Sequence, residues 1–219
     1  MTPNLSTRLW AEGVGTAFLL IGVVGSGIMA ENLSGGNTGV ALLANAIATG
    51  AMLYMLITTL GPVSGAHFNP VVTMAFAIRR EHKPNDVAPY VIVQIIGGIM
   101  GVFISHLMFD LDVLQISTTE RTGMGQWIAE IVATFGLLFT IFGGLKHRPD
   151  TVPTLVALYI TGAYWFTAST SFANPAVTLA RSLSDTFAGI TPAHAPMFIV
   201  AQIIGALLMV FVGAKIFKP

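Results

Sequence analysis

The feature that most constrains this chain is a pair of matched Asn-Pro dipeptides, each embedded in a strongly apolar region. Residues 68–73 read Phe-Asn-Pro-Val-Val-Thr, and residues 172–178 read Phe-Ala-Asn-Pro-Ala-Val-Thr. Asn favours the N-cap because its side-chain oxygen accepts a bond from a helical N–H, and Pro favours the first helical position. Asn69-Pro70 and Asn174-Pro175 therefore each predict the start of a short helix. Two matched helix starts at membrane depth indicate a pore or a midplane site rather than two interfacial loops.

The composition requires a membrane. Of the 219 residues, 54% are hydrophobic and 9% are charged, and the mean hydropathy is +0.77. A soluble domain carries about 25% charged residues, so membrane lipid is an expected partner. The formal net charge of zero gives no indication of nucleic acid binding. The lack of cysteine excludes thiolate metal sites and cysteine nucleophiles. We expect no catalytic residue, no metal, no cofactor and no enzyme activity.

The apolar segments are long enough for six membrane-spanning helices, because one span needs about 20 apolar residues. The expected spans are 9–29, 40–60, 87–109, 126–145, 152–171 and 195–217. Two short helices, expected at 69–80 and 174–184, lie between the second and third span of each half. The sequence therefore predicts an all-α membrane protein whose single transmembrane domain comprises residues 1–219.

The two halves of the chain, about 1–110 and 120–219, repeat each other. Trp10, Glu12 and Thr16 correspond to Trp127, Glu130 and Thr134, and Gln94-Ile-Ile-Gly97 corresponds to Gln202-Ile-Ile-Gly205. Each half has three spans, and this odd number inverts the second half relative to the first. The two short helices are then expected to meet N-terminus to N-terminus near the midplane.

The basic residues orient this topology. Eight of them fall on one side: Arg8, Arg79, Arg80, Lys83, Lys146, Arg148, Lys215 and Lys218. Only Arg121 and Arg181 fall on the other side, and the loop 31–39 contains no Lys or Arg. Because cytoplasmic loops carry an excess of basic residues, we expect a multi-pass protein of the plasma (inner) membrane with both termini in the cytoplasm.

These motifs resemble those of the aquaporins, or major intrinsic proteins, over nearly the whole chain. The matching residues are Glu12 with Thr16, Ser64-Gly65-Ala66-His67-Phe68-Asn69-Pro70, Glu130 with Thr134, and Asn174-Pro175-Ala176. Val71 departs from the family pattern, in which Ala is commonest. The resemblance implies the aquaporin fold, with two re-entrant half-helices. It also implies a passive channel with one pore per subunit, usually in a homotetramer.

The resemblance further implies a selectivity filter, where this chain departs from the family. The narrowest point normally includes an Arg three residues after the second motif's Asn, and that position holds Val177. Counting from each Asn carries the other filter positions over to Thr49, Gly162 and Ser171. Three small residues and no cation imply a wide, weakly polar filter, which argues against strict water selection. Arg181, one turn further along, is expected to face the external loop.

A missing filter Arg and a wide filter together resemble the AqpS-like aquaglyceroporins of bacterial arsenic-resistance operons. That resemblance implies passage of arsenite as the neutral hydroxide and of methylated arsenicals such as methylarsenate. Glycerol-like polyols and water complete the expected set, so the partners are mainly small neutral solutes.

Physical chemistry predicts how such a pore works. Each half-helix N-terminus carries about half a positive charge, so cations are repelled where the two meet. If the oxygens of Asn69 and Asn174 cap their own helices, their NH₂ groups are free to donate into the pore. Irregular backbone is allowed at this depth only where it is buried in protein or lines water. Acceptor ladders are therefore expected from the carbonyl groups of Gly65, Ala66, His67, Thr170, Ser171 and Phe172.

Two other functional classes stay open beside the passive channel. A secondary transporter also uses inverted repeats and broken helices, and its coupling carboxylate would be Glu12 or Glu130. The symmetry of these two residues favours bracing of the half-helices over proton relay. The other class is a structural membrane protein with blocked pores. Within the family, a water-selective channel is the alternative, which the expected filter disfavours.

Overall fold

The computed structural model describes residues 3–217, which are all-helical apart from their connecting loops. The helices are α1 (Leu5–Leu33), α2 (Thr38–Ser64), α3 (Pro70–Ile78), α4 (Pro84–Met108), α5 (Met124–His147), α6 (Val152–Phe166), α7 (Pro175–Arg181) and α8 (Ala195–Ile216). Five of them, α1, α2, α4, α5 and α8, are long and apolar enough to cross a membrane. The sixth span, α6, has 15 helical residues and follows a 3₁₀ turn at Pro149–Thr151.

The predicted spans and short helices are all present, and the largest difference lies at the end of the fifth span. The sequence predicts helix through residue 171, whereas α6 ends at Phe166. Thr170, Ser171 and Ala173 have φ values of 62°, 53° and 48°. A right-handed helix excludes such values. This stretch instead forms the irregular loop that leads into α7. The predicted inner-side position of Lys218 lies outside the described residues.

The two halves pack in matching ways. Helix α1 packs against α4 in the first half, and α5 packs against α8 in the second. A Cβ atom at Gly97 would clash with the carbonyl oxygen of Gly13, and one at Gly205 would clash with that of Ile131. Glycine at both places lets the helix backbones approach closely, as small residues do between membrane helices. These matching contacts agree with the predicted repeat of the two halves.

The loops define two ends of the molecule. We call the end formed by the loops 109–123 and 182–194 the outer end. These loops are joined by backbone hydrogen bonds. The N–H of Ser117 donates to the carbonyl oxygen of Ser182 at 3.0 Å, and the N–H of Thr191 donates to the carbonyl oxygen of Thr119 at 2.8 Å. The inner end contains the loops 79–83 and 148–151. Helix α3 runs from the centre toward the inner end and α7 runs from the centre toward the outer end.

Candidate functional site

The two Asn-Pro dipeptides begin the half-helices. Asn69 and Asn174 are the N-caps of α3 and α7, and Pro70 and Pro175 are the first helical residues. The backbone of each Asn is extended, with φ of −156° and −159°. This conformation is typical of an N-cap, whose chain has not yet entered the helix.

Both Asn side chains cap their own helices through oxygen. Asn69 Oδ1 accepts a bond from the N–H of Val71 at 3.1 Å. Asn174 Oδ1 accepts bonds from the N–H of Ala176 at 2.9 Å and of Val177 at 3.3 Å. The amide orientation is therefore the one that turns each NH₂ group away from its own helix.

Each NH₂ group reaches across to the other half of the chain. Asn69 Nδ2 donates to the carbonyl oxygen of Ala173 at 2.8 Å, and Asn174 Nδ2 donates to that of Phe68 at 2.8 Å. An amide nitrogen carries two hydrogens, so one remains on each side chain. The expectation of wholly free NH₂ groups is thus corrected. One hydrogen ties the two loops together, and the other is available to a solute.

Glu12 holds the loop before α3. Its Oε1 accepts bonds from Ser64 Oγ at 2.6 Å and from the N–H of His67 at 2.9 Å. Its Oε2 accepts bonds from the N–H of Phe68 at 2.7 Å and from Gln94 Nε2 at 2.9 Å. A carboxylate is the side chain best suited to this place, because it only accepts and has room for four bonds.

Glu130 does the same for the loop before α7. Its oxygens accept bonds from the N–H of Phe172 at 2.9 Å, the N–H of Ala173 at 2.8 Å and Gln202 Nε2 at 2.7 Å. Both carboxylates are fully buried, and neither Glu12 nor Glu130 lines the channel cavity. These contacts support the bracing role and give a proton relay no path along the pore.

A cavity of about 120 Å³ passes both Asn side chains. Its wall is largely apolar, with contributions from Leu19, Val23, Leu53, Leu137, Val156 and Ile160. Its polar atoms come from the Asn side chains, the exposed carbonyl groups and the side chains of Thr49, Tyr164, Ser171 and Arg181.

Most of the predicted carbonyl residues lie on this cavity. Five of the six line it: Gly65, Ala66, His67, Ser171 and Phe172. The sixth, Thr170, is not among the lining residues. Within residues 3–217, the carbonyl oxygens of these five accept no hydrogen bond. They are therefore free to accept from a passing hydroxyl group.

His67 is a lining residue near the inner end. Its ring stacks on Phe76 with centroids 4.9 Å apart, and its Nδ1 lies 3.1 Å from Thr73 Oγ1. The ring of His82, in the loop after α3, is 5.2 Å away. Burial lowers the pKa of His82, and the neighbouring Asp86 opposes this shift only in part. His82 is therefore largely neutral at pH 7, which fits a packing role.

Three of the four predicted filter residues, Thr49, Ser171 and Val177, line the cavity. Gly162 does not, because it lies on the exposed side of α6. Tyr164 lines the cavity instead, and its hydroxyl is 3.2 Å from Thr49 Oγ1. The expectation of small residues at these positions is therefore corrected, since the large side chain of Tyr164 takes the place expected for Gly162.

The helical register explains this difference. Val156, Ile160 and Tyr164 follow at four-residue spacing and all line the cavity, as residues on one helix face do. Gly162 is two residues away, which rotates it to the opposite face. Counting back from Asn174 fails because the irregular loop after Phe166 does not preserve the helical phase. The four-residue spacing is visible in the sequence, but α6 is apolar on nearly all sides, so only the structure shows which face meets the cavity.

Arg181 is the second correction. The sequence suggests that it faces the external loop, but it is 2% exposed and lines the channel cavity. Its guanidinium carbon lies 3.5 Å from the centroid of the Phe172 ring, and its Nε donates to the carbonyl oxygen of Ala188. The channel therefore does contain a cation, one helical turn beyond Val177.

Comparisons with known proteins agree with this geometry. The family model for the major intrinsic proteins matches residues 1–171. A curated relative, Aquaglyceroporin AqpS of Rhizobium meliloti (strain 1021), is 51% identical over 216 residues, which are 99% of this chain and 92% of the relative. Aquaporin AqpM of Methanothermobacter thermautotrophicus is 31% identical over 235 aligned positions, covering 94% of this chain and 95% of AqpM.

A solved structure shows the same fold. The X-ray structure of the aquaglyceroporin from Plasmodium falciparum aligns with a TM-score of 0.79 and 18% identity. The alignment covers 99% of this chain and 98% of that one. The family match extends over more than half of the chain, and the paired Asn caps lie on the cavity. This chain therefore belongs to the major intrinsic protein family, and it is a passive membrane channel for small solutes.

Proposed function

We propose that the channel passes small hydroxyl solutes: the neutral ones are glycerol-like polyols, arsenite as the neutral hydroxide and water, and methylated arsenicals such as the methylarsenate anion pass with them. The observation that carries this proposal is the pair of amide donors, Asn69 and Asn174, on a largely apolar cavity wall. A solute hydroxyl accepts from an amide and donates to a free loop carbonyl, so it exchanges its water contacts for equivalent ones. The name of the aquaglyceroporin relative from Rhizobium meliloti supports the same solute class.

Selection among these solutes is assigned to the residues around Val177. Thr49, Tyr164 and Ser171 line the same cavity, and only Tyr164 among them is large. Because Val177 stands where the family usually has Arg, this ring of residues carries no charge. We therefore assign filtering to a ring of moderate width, which admits polyols as well as water. A strictly water-selective channel is the alternative, and it predicts no flux of glycerol.

The setting of the channel is part of the proposal. We place it in the plasma (inner) membrane with cytoplasmic termini, because the basic residues concentrate at the inner end. A homotetramer is the proposed assembly, as the family resemblance implies. Large apolar side chains on the surface that faces away from the channel, such as Trp10 at 74% exposure and Phe211 at 63%, provide contacts for lipid or for neighbouring subunits.

The decisive experiment uses proteoliposomes. Swelling rates are measured for water, glycerol, urea and neutral arsenite, with and without a proton gradient. Passive flux of glycerol and arsenite that is the same with and without the proton gradient supports the proposal. Water flux alone would favour the water-selective alternative, and gradient-driven accumulation would favour a secondary transporter with Glu12 or Glu130 as its coupling carboxylate.

Mercurial reagents are expected to leave the flux unchanged. Organomercurials block channels by modifying pore cysteines, and this chain contains none. The measurement is glycerol swelling at a reagent concentration that modifies only thiols. Thr49→Cys is the matched positive control, since Thr49 lines the cavity. Rapid inhibition of the wild type that a thiol reagent reverses would contradict this expectation.

Val177→Arg is expected to close the filter to large solutes. The new side chain adds bulk and charge to the cavity wall, and a steric barrier of about 1.4 kcal/mol lowers a flux about tenfold. Glycerol and arsenite flux should fall by this order, methylarsenate flux should fall further because the new charge traps an anion, and water flux should change least. Val177→Leu adds bulk alone and separates the two effects. Undiminished glycerol flux in Val177→Arg would remove Val177 from the constriction.

A further inference from the structure

Arg181 occupies a place in the channel that the proposed filter does not use. It lies four residues after Val177 on α7, so both residues share one helix face. At 1.5 Å per residue, Arg181 is about 6 Å nearer the outer end. Both line the same cavity. A solute that enters from the outer end therefore meets Arg181 before it reaches Val177.

The contacts of Arg181 leave the distal part of its guanidinium unused. Its Nε donates to the carbonyl oxygen of Ala188, and its plane is held against the ring of Phe172. Within residues 3–217, its two terminal NH₂ groups have no hydrogen-bond partner, and no carboxylate forms an ion pair with it. Glu130, the buried carboxylate of the same half, accepts instead from Phe172, Ala173 and Gln202.

A buried cation without a counter-anion is costly, because its lost hydration is not replaced. Water or a ligand in the channel must therefore supply the missing contacts. The planar guanidinium fork matches two oxygens of one oxyanion, and charge-assisted bonds of this kind are stronger than neutral ones. Arg181 is thus equipped to hold an anion with two or more oxygens on one centre.

Ser171 supplies a second and independent indication of a ligand. Its side chain is 4% exposed, it lines the same cavity, and its Oγ has no hydrogen-bond partner among the described residues. Buried hydroxyl groups are nearly always paired in native proteins. An oxyanion bound to Arg181 can accept from this hydroxyl and would satisfy both groups together.

We propose that Arg181 and Ser171 form a binding site for small monovalent oxyanions in the outer half of the channel. The inference rests on the proposed function, because the anion and the neutral solutes would use the same passage. An anion at this site competes with neutral solutes for space. The acidic residues of the outer end are exposed, so water screens them from the site; they are Glu31, Asp110, Asp112, Glu120 and Asp185.

Arg181 also holds the outer loop through Ala188, and Arg121 offers a matched control for that contact. Arg121 Nε donates to the carbonyl oxygen of the next residue, Gly189, at 2.7 Å. Its guanidinium carbon lies 5.1 Å from the centroid of the Phe172 ring. Arg121 is not among the residues that line the channel cavity. Loss of Arg121 therefore removes a comparable loop contact and one nearby positive charge, while both side chains of the proposed anion site stay in place.

The test measures inhibition of glycerol swelling by methylarsenate in proteoliposomes. We expect inhibition of the wild type, and no inhibition by methylammonium at the same concentrations. In Arg181→Gln the half-inhibitory methylarsenate concentration should rise about tenfold, which corresponds to losing one charge-assisted contact of about 1.4 kcal/mol. The half-inhibitory concentration for Arg181→Lys should lie between those of the wild type and Arg181→Gln. That for Arg121→Gln should stay much closer to the wild type than to Arg181→Gln, because it removes a nearby charge and no side chain of the site. Each variant's uninhibited glycerol flux reports whether it has folded.

Two results would overturn the proposal: a wild type that methylarsenate does not inhibit, or equal inhibition of wild type and Arg181→Gln. If Arg181→Gln fails to fold, Ser171→Ala takes its place, because it removes the hydroxyl without touching the loop contact. Thermal stabilisation of the detergent-solubilised protein by methylarsenate provides a readout that needs no flux. Stabilisation without glycerol flux would uphold the anion site and reject the proposed function. Glycerol flux without stabilisation or inhibition by methylarsenate would uphold the proposed function and reject the anion site.

Discussion

Asn174→Asp is expected to lower glycerol flux at least about tenfold and to give the channel a measurable cation conductance. The carboxylate still accepts from the N–H groups of Ala176 and Val177, so the cap of α7 survives. It cannot donate, however. In the wild type, Asn174 Nδ2 donates to the carbonyl oxygen of Phe68 at 2.8 Å, and in the variant a carboxylate oxygen faces that carbonyl oxygen instead. The variant loses the amide hydrogen bond to the solute and the hydrogen bond to Phe68. At about 1 kcal/mol each, these losses account for the size of the effect.

The new cation conductance has an electrostatic origin. The wild-type midplane has amide donors, two positive helix ends and no anionic group, so a cation is disfavoured there. A carboxylate at Asn174 reverses this arrangement, as acidic side chains do in cation channels. The measurement is glycerol swelling together with a sodium-dependent current or dye quench in the same proteoliposomes.

Asn37→Asp is the matched control for this substitution. Asn37 caps α2 through a bond from the N–H of Val40 at 3.1 Å and lies exposed at the outer end. The same chemical change there keeps a cap and touches no channel residue. It should leave both flux and conductance at wild-type values. If Asn174→Asp behaves like Asn37→Asp, Asn174 does not act on the permeating solute.

Glu130→Leu is expected to destroy the channel by unfolding the loop before α7. The N–H groups of Phe172 and Ala173 then lose their only acceptor in a fully buried place. An unsatisfied buried N–H costs about 1–3 kcal/mol, so the two together cost about 2–6 kcal/mol. We expect a large drop in thermal stability in detergent and little glycerol flux. Glu130→Gln keeps one acceptor oxygen and should be intermediate in both measurements.

Glu31→Leu is the control for the loss of a carboxylate alone, because Glu31 is exposed at the end of α1. It should leave stability and flux nearly unchanged.

A proton relay through Glu130 would give a different pattern from bracing. In that case Glu130→Gln would keep wild-type stability and lose only flux that depends on a proton gradient, and this outcome would contradict the bracing role.

The comparison of sequence and structure separates two kinds of information. The helix starts at Asn69 and Asn174 followed from local chemistry, since a cap and a proline act within one turn of the chain. The spans followed from apolar length, and the inversion followed from an odd number of spans in each repeat. Glu12 and Glu130 were found because the repeat placed two carboxylates at equivalent positions. None of these inferences needed a contact between distant residues.

Gly162 and Tyr164 show where sequence reasoning failed. Their assignment depended on the phase of α6 relative to Asn174, and an irregular loop separates the two. Thr170, Ser171 and Ala173 have positive φ values, so the number of residues between α6 and α7 does not fix which helix face meets the channel. Val156, Ile160 and Tyr164 share one face of α6, but the helix is apolar on nearly all sides, so its register alone does not show that this face meets the channel.

The direction of Arg181 and the crossing bond of each Asn amide depended on tertiary structure alone. The direction of the Arg181 side chain is decided by the Phe172 ring and the carbonyl group of Ala188, which come from other loops. The crossing bonds from Asn69 to Ala173 and from Asn174 to Phe68 join two halves that no local rule connects. The sequence by itself thus determined the class of protein, the fold and the midplane donors, because these depend on short-range chemistry and repetition. Only the tertiary packing decided that the ring of Tyr164 and the cation of Arg181 line the cavity, because side-chain direction there depends on partners far away in the chain.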